Sequence, residues 1–181
     1  VDCVPQVSSE EELYTITLRR KELPDMSEIQ YAEDLLKFTS HEYLVSFFGW
    51  ENVKKDLYYF SEKELKKCSV LFPNTSKQAL FIWGDEENYD SVSYVLISGI
   101  LPTVNAVQFS NYLGHNKWLS KKGLYAGMTL QELIEANEAD FNLYGQNTEL
   151  SFMAVPQNSG VINFEKTGIM LGCVNCNGAD I

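Results

Sequence analysis

Apolar and polar positions alternate along residues 13–19, with Tyr14, Ile16 and Leu18 set against Thr15 and Thr17. That is the period-2 pattern of a half-buried strand. After a loop containing Pro24 the period changes, and Ile29, Ala32, Leu35 and Leu36 fall on one face of a helix beginning at Ser27. Thr39-Ser40-His41-Glu42 has the form of a capping box, in which the threonine hydroxyl accepts from the backbone three residues on and the glutamate reaches back. It opens a short helix with Tyr43, Leu44, Phe47 and Phe48 as its apolar face and Gly49 as its stop. The text then turns β-like at Asp56–Phe60, Ser69–Phe72, Ala79–Trp83 and Val92–Ile97, with Ala106–Phe109 as a further short strand. Pro73-Asn74-Thr75-Ser76 between the second and third of these predicts a hairpin.

A second box, Thr129-Leu130-Gln131-Glu132, opens a helix carrying Leu130, Leu133, Ile134 and Ala136. Phe141–Tyr144, Leu150–Val155, Val161–Phe164 and Ile169–Val174 follow as short strands separated by Gly145, Pro156, Gly160 and Gly168. The two Thr-x-x-Glu starts lie about half the chain apart, and β-rich text follows each. The expected fold class is α+β: antiparallel sheet with a few short helices on one side, in two similar halves or one compact domain. The divisions are a polar tail at 1–12, a first half at 13–110, a connection at 111–122 and a second half at 123–181.

Charge narrows the partners. Fourteen basic residues against 25 acidic give a net charge of −11 over 181 residues, so the chain repels phosphate backbones and nucleic acid is excluded as a partner. No apolar run approaches the ~20 residues that span a bilayer, so no transmembrane segment is expected. Val1-Asp2-Cys3 at the start, with no initiator Met, reads as a removed signal peptide or a shortened chain. Cys3 suggests lipid acylation, although Asp2 stands where that site wants a small residue; a plain polar tail is the alternative.

Four cysteines (Cys3, Cys68, Cys173 and Cys176) suit an oxidising compartment and are the disulfide candidates, with three pairings open. Cys173-Val-Asn-Cys176 has redox or zinc spacing. It lacks the following helix that a low-pKa thiol needs and the second close pair that a zinc ribbon needs.

The sequence carries no catalytic constellation, no metal-site motif and no cofactor motif. There is no Gly-x-Ser-x-Gly elbow, no His-x-x-x-His helix and no phosphate-cradling glycine loop. Asp85–Asp90 is rich in oxygen ligands, but Asp90 and Leu96 stand where an EF-hand needs glycine and glutamate, which leaves a solvated loop. Of the tryptophans, Trp83 ends an apolar strand and is expected in the core. Trp50 at a helix end and Trp118 in the polar stretch Gly114-His115-Asn116-Lys117 are candidates for exposure, against packing beneath a loop. Trp50, Trp118, Tyr125 and His115 are the candidate binding residues.

The segment Val70–Asp85 with its Leu-Phe-Pro-Asn turn, together with Gly123–Asn137 and its Gly-x-x-x-Gly-x-Thr-Leu-x-Glu-Leu helix start, resembles an uncharacterised family of secreted bacterial proteins. The likeness covers residues 40–150. It departs at Glu138, where the family has glycine, and after Gly145, where a Trp-Asp-Tyr-Gly-Gly run is missing. The resemblance implies a compartment and a fold, not a reaction. More loosely, the Gly-Met-Thr start is similar to that of the small lipoproteins of the outer-membrane barrel-assembly machinery and of the β-lactamase inhibitory proteins, both of which bind other proteins.

The expectation is a secreted or periplasmic, envelope-associated, non-enzymatic domain that binds a protein or another envelope component, with a basic partner suited to its charge. A carbohydrate-binding module using Trp50 and Trp118 is the alternative, and a hydrolase using His115 with a carboxylate is the third reading.

Overall fold

The computed structural model describes residues 23–61, 64–99, 115–146, 148, 150–157 and 159–172. The expected tail, the strands at 13–19 and 106–109, and Cys3, Cys173 and Cys176 lie outside them.

Four strands form an antiparallel meander in sequence order: β1 Val53–Ser61, β2 Glu64–Leu71, β3 Ala79–Asp85 and β4 Asp90–Leu96. The α+β expectation holds at that level, and so does the β2–β3 hairpin, whose register pairs Leu71 with Ala79 and Ser69 with Phe81. Alternation splits the sheet into two faces. Val53, Ser69, Leu71, Ala79, Phe81 and Trp83 point one way, and Cys68, Val70, Leu80 and Ile82 the other.

Helices cover the first face. α1, His41–Phe48, is capped by Ser40, whose hydroxyl accepts the Tyr43 N–H at 3.1 Å. The cap therefore sits one residue later than the Thr39 reading, because Thr39 is held by backbone pairing: its carbonyl accepts the Ser91 N–H while Tyr89 accepts from His41 N–H. That hitch ties the start of α1 to β4, and the helix then crosses the sheet to deliver the chain into β1. Gly49 ends it at φ +90°, a positive φ as expected but with ψ 147°, outside the left-handed helical well.

The helix expected from Ser27 is instead a 3-10 turn at Met26–Glu28 followed by a 3-10 helix at Ala32–Lys37. With three residues per turn, Ile29, Ala32, Leu35 and Phe38 line up against the core, and Leu36 rotates out to 50% exposure. Leu35, Phe38, Leu44 and Phe48 pack on Leu71, Phe81 and Trp83; burying each such side chain contributes about 1.5–3 kcal/mol.

The second capping box is present as expected. Thr129 Oγ1 accepts the Glu132 N–H at 3.2 Å, Glu132 returns to the Thr129 N–H at 2.7 Å, and α2 runs Leu130–Asn137. Beyond it the expected strands do not form regular ladders: among the described residues there are isolated bridges at Leu143–Ala154 and Met153–Met170. A second core of Leu133, Ala154, Ile162 and Phe164 holds this region. Buried Asn137 organises it, donating to the carbonyls of Ala139 and Ser159 and accepting the Ile162 N–H. Gly160 passes so close that any Cβ would overlap the Asn137 carbonyl, and its φ of +86° suits glycine alone.

Residues 116–121 run as a hydrogen-bonded belt along the sheet end and the 3-10 helix. Asn116 Nδ2 donates to the Gln78 carbonyl at 2.9 Å, Lys117 N–H to Ser76, Trp118 Nε1 to Lys77, and Leu119 accepts from Ala32. Among the described residues no helix is long and apolar enough to cross a membrane.

Candidate functional site

Three places combine the right chemistry, and they differ in what solvent can reach. The first is on the α1 face. His41 Nδ1 lies 2.8 Å from Ser69 Oγ, and Ser69 Oγ accepts the Trp83 Nε1–H at 3.0 Å. Sequence reading missed this serine–histidine pair, because only the crossing of α1 over β2 brings positions 41 and 69 together. Its spacing is that of a nucleophile and base. Ser69 is 0% exposed, however, and its oxygen already serves Trp83, so no substrate carbonyl reaches it. Burial and the Lys55 ammonium hold the His41 imidazole below its ordinary pKa, against an opposing pull from Glu42. Ser69 and Trp83 are buried in the core, and the half-buried His41 closes over the serine from the surface.

The second place gathers two residues singled out from sequence. The rings of His115 and Tyr125 lie 5.0 Å apart, and Tyr125 donates its hydroxyl proton to Glu132 Oε1 at 3.0 Å. His115 is exposed and Tyr125 half-buried. Glu132 is the carboxylate that a His115 hydrolase would recruit, but it is committed to capping α2. The Thr129 N–H, the Thr129 hydroxyl and the Tyr125 hydroxyl keep it ionised below the usual carboxylate range. The same bond raises Tyr125. A carboxylate held ionised and a phenol held protonated exchange no proton near neutral pH.

The remaining sequence candidates scatter. Trp118, whose polar neighbours pointed to exposure, is 7% exposed because its indole N–H is satisfied by Lys77 and its ring fills the main core. Trp83 is in the core as expected. Trp50 stands in solvent at 80% exposure. A glycan platform of two tryptophan faces is thus reduced to Trp50. Cys68 is a free thiol, fully buried on the second sheet face, and burial pushes it up to about 12. The acidic loop uses its oxygens internally: Asp85 accepts from Glu87 and Asn88, and Glu86 from the Lys67 N–H. Among the described residues no group of three or more His, Cys, Asp and Glu could hold a metal ion.

The third place is the far end of the β1–β2 hairpin. β1 and β2 pair over their whole length, whereas β2 and β3 pair only from Cys68 to Leu71. Residues 64–67 and their β1 partners therefore leave the ladder with β3 as a two-stranded arm, met on the β3 side by Glu86, which accepts the Lys67 N–H at 3.0 Å, and left uncovered by α1. Leu57, Tyr59 and Leu65 share the α1 face there and are 47%, 57% and 56% exposed. The Phe72 N–H bonds the Asn52 carbonyl, which sets the ladder phase and makes Tyr59–Leu65 a non-hydrogen-bonded pair with closely spaced side chains. These residues were not singled out from sequence. The signal was the alternation of Leu57 and Tyr59 followed by Leu65 as the one apolar residue among Glu64, Lys66 and Lys67.

No family model, curated protein or solved structure matches the chain.

Proposed function

We propose that this chain is a non-enzymatic binding domain that recognises another protein, working in a secreted or envelope setting. The observation that carries the reading is the apolar face of the β1–β2 arm. Leu57, Tyr59 and Leu65 are large side chains left in water on a hydrogen-bonded strand pair. Large apolar side chains grouped on one exposed face support a contact surface. The two histidines support it from the other side, since one bonds a buried serine and the other lies against Tyr125, whose hydroxyl is spent on the helix-capping Glu132. The extracellular setting rests on the resemblance to secreted proteins; Cys68, a buried free thiol, adds nothing to it.

The test places a photo-crosslinking benzoylphenylalanine at Tyr59, at Trp50 and, as a control, at Thr75 in the β2–β3 turn. Each protein is irradiated in an envelope extract at physiological salt, where the long-range field of the acidic body is screened. A discrete protein adduct from Tyr59 that is missing from Thr75 is the expected result. The same pattern from all three positions, or none at all, removes the reading. An activity lost on His115→Ala in a broad hydrolase screen would put an enzyme in its place.

A further inference from the structure

We propose that the arm face bearing Leu57, Tyr59 and Leu65 docks an apolar strip rimmed with carboxylates on its protein partner; this rests on the binding reading above and assigns the partner's chemistry. The patch has a cationic fringe. In the β1–β2 register Lys67 stands opposite Leu57, and Lys55 stands two residues before it on the same face. Glu86 accepts the Lys67 backbone N–H at 3.0 Å and attracts its ammonium without closing an ion pair, while Lys55 is shared between Glu42 at 3.9 Å and the Tyr89 ring at 4.2 Å. Residues 53–67 hold five lysines against three acidic residues, a local net of +2 in a chain of −11. A basic partner would press its cations against Lys55 and Lys67, and a purely apolar one would desolvate Lys67 with no carboxylate in exchange for the lost water.

The contact is made by the face and not by the strand edge. The ladder phase points the N–H groups of Lys55, Leu57 and Tyr59 away from β2. The Asp56 carboxylate already takes the Leu57 N–H at 2.8 Å, which blocks an added strand at the middle of that edge. The opposite face of the arm is polar, with Lys66 held by Glu64 at 2.9 Å and by Glu86 at 3.5 Å. One apolar face and one charged face suit a partner lying against one side. A hairpin inserted tip-first into lipid would have to immerse both.

The full chain and a Leu57→Thr, Tyr59→Thr, Leu65→Thr variant are each panned against a random displayed peptide library; threonine keeps the strand propensity while removing the apolar surface. The wild type is expected to select peptides that combine Asp or Glu with Leu, Phe or Trp. The most enriched of these, as a synthetic peptide, should bind the triple variant at least about tenfold more weakly. Lys67→Glu should weaken it several-fold with the denaturant midpoint unchanged, and this variant carries the test alone if the triple variant does not fold. Peptides rich in Lys or Arg, or peptides held equally by the triple variant, overturn the inference and leave the binding reading standing. A library that yields nothing also overturns it, and the Tyr59 cross-link then decides the reading separately. Phosphatidylglycerol vesicles are the lipid probe: cosedimentation lost in the triple variant overturns a protein partner in favour of a membrane surface.

Discussion

Ser69 joins two rings that differ in what they need. Trp83 can only donate, so its N–H occupies one lone pair of Ser69, and the serine proton is left for His41 Nδ1. The relay works with neutral imidazole. A proton on Nδ1 could use the serine's second lone pair, but the buried serine proton would then lose its acceptor. Burial and Lys55 lower the His41 pKa for the same folded arrangement. A base with a depressed folded pKa contributes stability that is full above its unfolded value, ~6.5, and is lost as pH falls from there toward the folded value. The difference in unfolding free energy between wild type and His41→Gln should therefore shrink between pH 7.5 and 5.5. Paired denaturant titrations measure it, and a difference that is flat or grows on acidification refutes the relay. Ser69→Ala leaves the Trp83 N–H buried without an acceptor and should cost about 1–3 kcal/mol in the same assay.

At the scale of elements, α2 shows both how far the sequence could be read and where it stopped. Its start was legible because a capping box is local: Thr129 and Glu132 satisfy each other wherever the helix packs. Its end was legible only as an oddity. Glu138 stands where the resembling family has glycine, and it caps α2 in the left-handed conformation at φ 57°. An L-residue there costs on the order of 1 kcal/mol, and a carboxylate beside the negative end of the helix adds to that. Glu138→Gly should accordingly stabilise the protein by about 1 kcal/mol, read as a rise in denaturant midpoint at constant slope; an unchanged or lower midpoint counts against the strain.

Other elements were hidden for physical reasons. The Ala32–Lys37 helix follows period 3, which a search at period 3.6 reads as an ordinary helix with Leu36 turned inward. The first residues of β2, Glu64–Lys67, escaped because an arm wet on both faces has no inside to enforce alternation. The short strands expected after α2 have the right composition and do exchange backbone hydrogen bonds (Tyr144 with Met153, Val155 with Asn142, Ala154 with Ile169), but these stop at isolated bridges, and the segment at Val161–Ile162 is held by Asn137 instead.

Over the whole molecule, charge acts at two ranges with opposite sign. At a distance a partner meets −11; at contact with the arm it meets Lys55 and Lys67. Which one governs encounter depends on screening, since the Debye length is ~30 Å at 0.01 M salt and ~8 Å at 0.15 M. At low salt the whole acidic body repels a carboxylate-rimmed partner before the arm can engage it. At physiological salt the distant carboxylates of the body are screened, while Lys55 and Lys67 still act on a partner in contact with the arm face. The association rate of an acidic arm-binding peptide should thus rise from 0.01 M to 0.15 M salt, and Lys67→Glu should flatten the later part of that rise. A basic ligand steered by net charge alone would do the opposite, falling steeply over the same range. Stopped-flow mixing separates the two. A rate that falls monotonically with salt for the acidic peptide means that the lysine fringe dominates at every range, and the separation of long-range repulsion from local attraction would then be wrong.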